Sequence, residues 1–251
     1  MIPSLAPLFQ GAFAGHAGVL RLAVPDEQAL PLRALLEPAY LREQLHRFRP
    51  DLVGEDERAL LSIWSKYYFL RLIPPVLAAN LILQRALPLS PQYMAVELDG
   101  EGLPSTFVLP DDGVLLSGKE TGLARFEGLL RDNLATMIDG WHQASGLSPR
   151  VLWSNASRYL RWFVQELERV GLPESLWLPG KQILETRTFS DGTRNPLHGA
   201  YQTRTLAESG EPVTVRRLCC IRYLLPAMEL CEDCPRLCSK GVRAEGRVEV
   251  V

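Results

Sequence analysis

The five cysteines of this chain all fall between Cys219 and Cys238, and the rest of its 251 residues contain none. Four of them form the pattern Cys219-Cys220-x10-Cys231-x2-Cys234. A two-residue spacer lets Cys231 and Cys234 turn their sulfurs toward one centre. The adjacent pair is harder to place, because neighbouring side chains on a strand point to opposite faces. Both can face one cofactor only if the strand ends or turns there, and Pro226 helps to bring the chain back. Four thiolates suit a zinc ion or an iron–sulfur cluster. Vicinal thiols are awkward around one small ion and easier around two separated irons. Arg216, Arg217 and Arg222 crowd the segment. They can offset the negative charge of a thiolate cluster and raise its potential, dock an acidic partner, or simply be solvated. Structural zinc and thiol–disulfide chemistry stay open from spacing alone. Cys238 is one thiol beyond a four-ligand set. Its simplest reading is a bystander, and the others are a substitute ligand or a redox-sensitive thiol.

The compartment bears on that choice. Met1-Ile2-Pro3-Ser4 has no basic segment before an apolar run, which predicts no secretory signal and a reducing cytoplasm. Clustered thiols there bind metal or do redox work more often than they form structural disulfides. The most apolar stretch, Leu72 to Leu83, is broken by Pro74-Pro75 and too short for a membrane span of about 20 residues. Asn155-Ala156-Ser157 reads as a glycosylation sequon without meaning in the cytosol. With 27 Lys+Arg against 29 Asp+Glu the formal charge is −2, so a general nucleic-acid binder is excluded. At 47 % hydrophobic and 22 % charged the chain is an ordinary globular one.

Periodicity predicts an α+β fold, mostly helical, with a small antiparallel β-meander; the cysteines form the C-terminal segment, an iron–sulfur segment if their thiolates hold a cluster. Pro31–Phe48 and Asp56–Leu72 carry helical spacing. Pro74-Pro75 is expected to interrupt the second of these, with a new helix over Val76–Ala86. Tyr93–Leu98, Thr106–Leu109 and Val114–Ser117 read as the strands of the meander. Helix is expected again over Leu123–Ala144 and from Ser148-Pro149 to about Val170. The polar stretch Lys181–Gly210 reads as loop, and Pro212–Val215 as a last strand. The domains expected are a scaffold over 1–210 and a cluster-binding segment over 211–251.

Other motifs fail. Gly113 to Lys119 matches most of a P-loop, but Glu120 stands where magnesium needs Ser or Thr. Gly100-Glu101-Gly102 lacks the third glycine of a dinucleotide site. The four histidines, at 16, 46, 142 and 198, do not pair at metal-binding spacing.

The cysteine pattern, within Arg216-Arg217-Leu218-Cys219-Cys220-Ile221-Arg222-Tyr223-Leu224-Leu225-Pro226, resembles the FhuF-type ferric-siderophore reductases. The resemblance extends to Trp64-Ser65-x-x-Tyr68 and Leu72-Ile73-Pro74-Pro75-Val76-Leu77-Ala78. It implies a [2Fe–2S] cluster on Cys219, Cys220, Cys231 and Cys234. It further implies a cytoplasmic oxidoreductase that reduces Fe(III) in hydroxamate-type siderophores and releases Fe(II). With no nucleotide site, an external donor is implied, such as a ferredoxin or an NAD(P)H-dependent ferredoxin reductase. No transmembrane segment is expected, and a peripheral place at the inner membrane is compatible with the reading. The rival classes are a non-enzymatic zinc module and a thiol-based redox sensor. Two sets of residues are candidates to hold the chelate. Trp64, Tyr67, Tyr68 and Arg71 share helical spacing, and their plainer reading is core aromatics. Asn195, His198, Tyr201 and Arg204 precede the cysteines, and their plainer reading is a surface loop.

Overall fold

The computed structural model describes residues 2–238 apart from 26, 121, 207 and 208. The end of the expected cluster segment, 239–251, lies outside the described residues. The fold is α+β. Strands β1 (Leu20–Leu22), β2 (Leu30–Pro31), β4 (Ala95–Leu98) and β5 (Pro104–Leu109) form one sheet in the order β1-β5-β4-β2. Strands β3 (Arg85–Ala86) and β6 (Val114–Leu115) pair separately, as do β7 (Tyr201–Thr205) and β8 (Pro212–Arg216). The helices are α1 (Pro38–Phe48), α2 (Glu57–Leu81), α3 (Thr136–Ser145), α4 (Pro149–Arg169) and α5 (Glu174–Glu185).

The expected meander is only half of its sheet. β4 and β5 pair antiparallel across the Asp99-Gly100 turn as expected, but β1 runs parallel to β5, with Leu20 opposite Phe107. Val114–Leu115 leaves the sheet to pair with Arg85–Ala86, where helix was expected. Gly113 makes that turn at a φ of +76°, and a Cβ there would stand 2.1 Å from the Ala86 carbonyl oxygen, so only glycine fits.

Pro74-Pro75 does not interrupt the helix. α2 continues through both prolines to Leu81. Each ring removes one intrahelical bond, a disruption worth about 3 kcal/mol in an exposed helix. Here 19 of the 25 residues are buried, so packing on every side holds the course of the chain. Asp56 caps the start, its carboxylate accepting from the backbone N–H groups of Arg58 and Ala59. Around α2 sits a dry aromatic centre. Trp64, Tyr68, Phe69 and Trp141 stack at centroid distances of 5.1–6.0 Å.

The expected long helices also divide. Pro31–Phe48 is a 3-10 turn, Leu32–Leu36, and then α1, because Pro38 resets the chain. Leu123–Ala144 is a 3-10 turn, a π-helical segment Gly128–Ala135 and α3. The stretch read as loop from Lys181 holds the end of α5 and all of β7. Gly180 lets α5 press onto α4 and α2, since a Cβ there would lie 2.7 Å from Val164 Cγ2 and 3.1 Å from Leu81 Cδ1. The β7–β8 ribbon spans the expected boundary at 210/211 and delivers the chain to the thiols.

Candidate metal centre

Beyond β8 the chain is held by side chains from the two central helices. Ser154 Oγ on α4 donates to the Leu218 carbonyl at 3.0 Å, and Ser62 Oγ on α2 donates to the Cys220 carbonyl at 2.6 Å. Ile221 then takes a φ of +54°, the left-handed region that β-branched residues rarely enter. The strand has ended at Arg216, and the chain turns directly after the vicinal pair, as two adjacent ligands require. Ile221 N–H donates back to Cys219 Sγ at 3.4 Å. In the second knuckle Cys234 N–H closes on the Cys231 carbonyl at 3.0 Å.

These two turns bring four sulfurs together. Cys219 Sγ lies 3.7 Å from Cys234 Sγ, and Cys220 Sγ lies 3.4 Å from Cys231 Sγ. Each contact joins one thiol of the vicinal pair to one of the Cys-x2-Cys knuckle. Among the described residues no three or more His, Cys, Asp or Glu close around a single ion position. Two pairs of thiols suit a binuclear group with two sulfur ligands on each iron.

The charges around the sulfurs are one-sided. Arg216 is fully buried, and its Nη2 donates to Cys231 Sγ at 2.9 Å. Its Nη1 donates to Asn155 Oδ1 at 3.0 Å, and its Nε stands 3.1 Å from Asp233 Oδ1. Arg158 Nη1 reaches the same carboxylate oxygen at 3.0 Å, and Tyr201 OH donates to Asp233 Oδ2 at 3.1 Å. Asn155 Nδ2 donates to the Ser62 carbonyl at 2.8 Å, tying α4 to α2 beneath the site. Lys66, one turn beyond Ser62, donates from Nζ to Cys220 Sγ at 3.1 Å. A buried guanidinium without partners is costly; here Nη1 and Nη2 are hydrogen-bonded, and Nε faces Asp233 as an ion pair without hydrogen-bond geometry. Hydrogen bonds from Cys219 and Cys231, followed by the charges of Lys66 and Arg216, hold the Cys220 thiol far below the usual thiol range. Cys219 lies above its ordinary value, chiefly through its contact with Cys220. Both cations thus address the Cys220–Cys231 pair, while the Cys219–Cys234 pair receives a backbone N–H.

The three arginines separate. Arg216, the last residue of β8, is buried, and Arg217 just beyond the strand is exposed. Arg217 lies exposed against Gly199, and Arg222 Nε bonds the Glu229 carbonyl, away from the sulfurs. Trp64 and Tyr68 are wholly buried, bonded to the Gly102 carbonyl and to Asn133 Oδ1, and offer no surface to a bulky chelate. That corrects their reading as pocket residues: the apolar packing of α2 absorbs them. Arg71 is exposed on α2, and Tyr67 packs edge-on against Phe48. Asn195 is an internal brace, donating to the Ile183 and Thr186 carbonyls. His198 follows it, partly buried, and its N–H donates to the Asn195 carbonyl. Tyr201 joins the thiol network, but Arg204 lies on the opposite face of β7, exposed. Sequence reasoning missed Ser62, Lys66, Asn155, Arg158 and Asp233. The apparent sequon at Asn155 is a buried polar clamp.

The donor set fits a [2Fe–2S] group: four thiols in two pairs, with buried cations to offset their charge. Comparisons with known proteins agree. The model of the family described as "Ferric iron reductase FhuF-like transporter" matches residues 62–212. A second, "FhuF 2Fe-2S C-terminal domain", matches residues 216–236. The chain belongs to this FhuF-like family, and its cysteine segment is the family's [2Fe–2S] domain. It is 23 % identical over 244 residues to the protein named "Ferric siderophore reductase" from Escherichia coli (strain K12), covering 92 % of this chain and 90 % of that one. The fold is also similar to that of the ATP-bound aerobactin synthetase IucA from a hypervirulent pathotype of Klebsiella pneumoniae. There the TM-score is 0.52 at 16 % identity, over 69 % of this chain and 37 % of that one, so this chain spans little more than a third of the synthetase. Among the described residues no helix is long and apolar enough to cross a membrane.

Proposed function

We propose that this protein is a cytoplasmic ferric-siderophore reductase, in which Cys219, Cys220, Cys231 and Cys234 hold a [2Fe–2S] cluster. One observation carries the reading: four thiols meet in two pairs, clad by Lys66 and Arg216, inside the segment that matches the [2Fe–2S] domain. When bound, such a group supplies a one-electron carrier. The protein's own residues do the rest. Lys66 and Arg216 compensate thiolate charge and favour the more negative, reduced form. Asn155, Arg158 and Asp233 fix Arg216, and α2 and α4 keep water from Cys220 and Cys234, both fully buried.

The substrate is Fe(III) in a siderophore of hydroxamate type. Hard oxygen chelators hold Fe(III) tightly and Fe(II) far less so. One electron therefore loosens the iron, with no proton transfer and no covalent step on the protein. The electron comes from an external donor, such as a ferredoxin or an NAD(P)H-dependent ferredoxin reductase. The test is direct. Protein purified without oxygen is expected to be red-brown, to contain iron and acid-labile sulfide, and after dithionite to be reoxidised by ferric hydroxamates. Colourless protein with stoichiometric zinc, or reduced protein indifferent to every ferric chelate, overturns the reading.

A further inference from the structure

The outer faces of α4 and α5 enclose a cleft of about 330 Å³ beside the start of β7. Its volume lies within the usual range of small-molecule sites. A second hollow, beneath α2, offers only about 20 Å³, room for a water molecule. Nothing derived so far uses the larger one. We infer that this cleft is the seat of the ferric chelate, an inference that rests on the reductase reading above.

Position is the first reason. Tyr201 walls the cleft, and its hydroxyl bonds Asp233 at 3.1 Å, between Cys231 and Cys234 in the chain. Asp233 in turn faces Arg216, whose other end bonds Cys231 Sγ. Tyr201 is thus shared by the cleft and the thiol network. An electron needs proximity and not a bond: the chelated Fe(III) gains one electron and becomes Fe(II), the reduced protein loses one, and no proton moves.

Charge is the second reason. The rim carries Arg161 and Lys181 against Glu168 and Glu185. The cleft is charge-balanced, and Arg161 is stacked 4.4 Å above the Tyr201 ring, which fixes it in the wall. Val164 and Leu184 add apolar lining. A chelate without net charge, rich in amide dipoles, meets partners of both signs there. A trianionic complex meets two carboxylates and no excess of cation to offset them.

Gallium(III) forms complexes of the same shape as Fe(III) but is not reduced, so binding can be read apart from turnover. Oxidised holoprotein is titrated calorimetrically with the gallium complex of a linear tris-hydroxamate. Dithionite-reduced holoprotein is mixed with the ferric complex in stopped flow. Gln165, exposed on α4 at the cleft, is changed to Trp to fill it, and Lys181→Glu makes the rim acidic. Gln165→Trp is expected to weaken gallium-complex binding at least tenfold and to raise the ferric concentration for half-maximal reoxidation to match, with cluster absorption and midpoint potential unchanged. Lys181→Glu gives a smaller loss in the same direction. A gallium tris-catecholate binds the unaltered protein at least tenfold more weakly. If the unaltered protein is reoxidised while both variants bind within twofold of it, the site is wrong and the reductase reading stands. If no ferric hydroxamate reoxidises the unaltered protein, the reductase reading falls and takes the site with it. Equal affinity for the catecholate complex overturns the charge argument.

Discussion

The centre of the molecule and its thiol segment are built on opposite principles. Around α2 the order comes from apolar and aromatic packing, in which Trp64 and Trp141 meet edge to face at 5.7 Å. The segment after β8 has little core of its own, and Tyr223 and Leu224 stand exposed. It is positioned by polar grips from outside: Ser62 and Ser154 on backbone carbonyls, Asn155 on Arg216, Arg158 on Asp233. A packed core resists deformation because every neighbour must move. A gripped segment is defined by a few bonds, each of which can be removed singly.

That contrast can be broken from either side. The largest effect is expected at a ligand. Cys220→Ser should abolish cluster content, read as iron, labile sulfide and colour, while leaving the helical circular dichroism intact. Persistence of a full cluster would reassign the fourth ligand. Trp64→Ala attacks the other region and should cost about 3–5 kcal/mol of unfolding free energy in denaturant. A loss under 1 kcal/mol would mean that the aromatic centre does not set stability. Asn155→Ala sits at the join. It leaves Arg216 short of a partner, a cost of about 1–3 kcal/mol, and should reduce cluster occupancy as well as the melting temperature. Lys66→Met should leave stability nearly unchanged and lower the midpoint potential, because a positive charge leaves the sulfur that must carry more electron density. A tenfold change in the reduction equilibrium, about 59 mV for one electron, is the size to look for. A potential that rises would reverse the assigned role of Lys66, and Lys66→Arg should restore most of the shift. The smallest effect belongs to Cys238→Ser, expected to keep both cluster and potential.

The same contrast explains what could be read in advance. Helical periodicity marked the first part of α2, and short apolar runs bounded by turn residues marked β4 and β5, because packing and tight turns leave a local pattern. Pro74-Pro75 misled because burial on all sides outweighed the local rule. α5 was hidden because Pro179 and Gly180 look like loop residues, whereas Gly180 serves close packing on Val164. The thiol pattern was legible since its four members lie within one short stretch. Its supports were not: Ser62 and Lys66 reach Cys220 across 158 and 154 residues, and Asn155 reaches Arg216 across 61. No spacing rule connects residues so far apart. Small polar residues at helical spacing among apolar ones, Ser62 and Ser65 on α2 and Ser154, Asn155 and Ser157 on α4, were the available signal.

The grip of Ser62 on the Cys220 carbonyl also makes the site depend on residues far from it in sequence. That bond exists only once α2 is in place, and Asn155 joins α4 to the same point. The thiols are in register only with α2 and α4 in place, so the geometry of the site belongs to the scaffold as much as to the segment that carries the sulfurs. The open side of the site is that of Cys219 and Cys231, which keep some solvent contact while Cys220 and Cys234 have none, so whatever reaches the sulfurs of the folded protein does so from there.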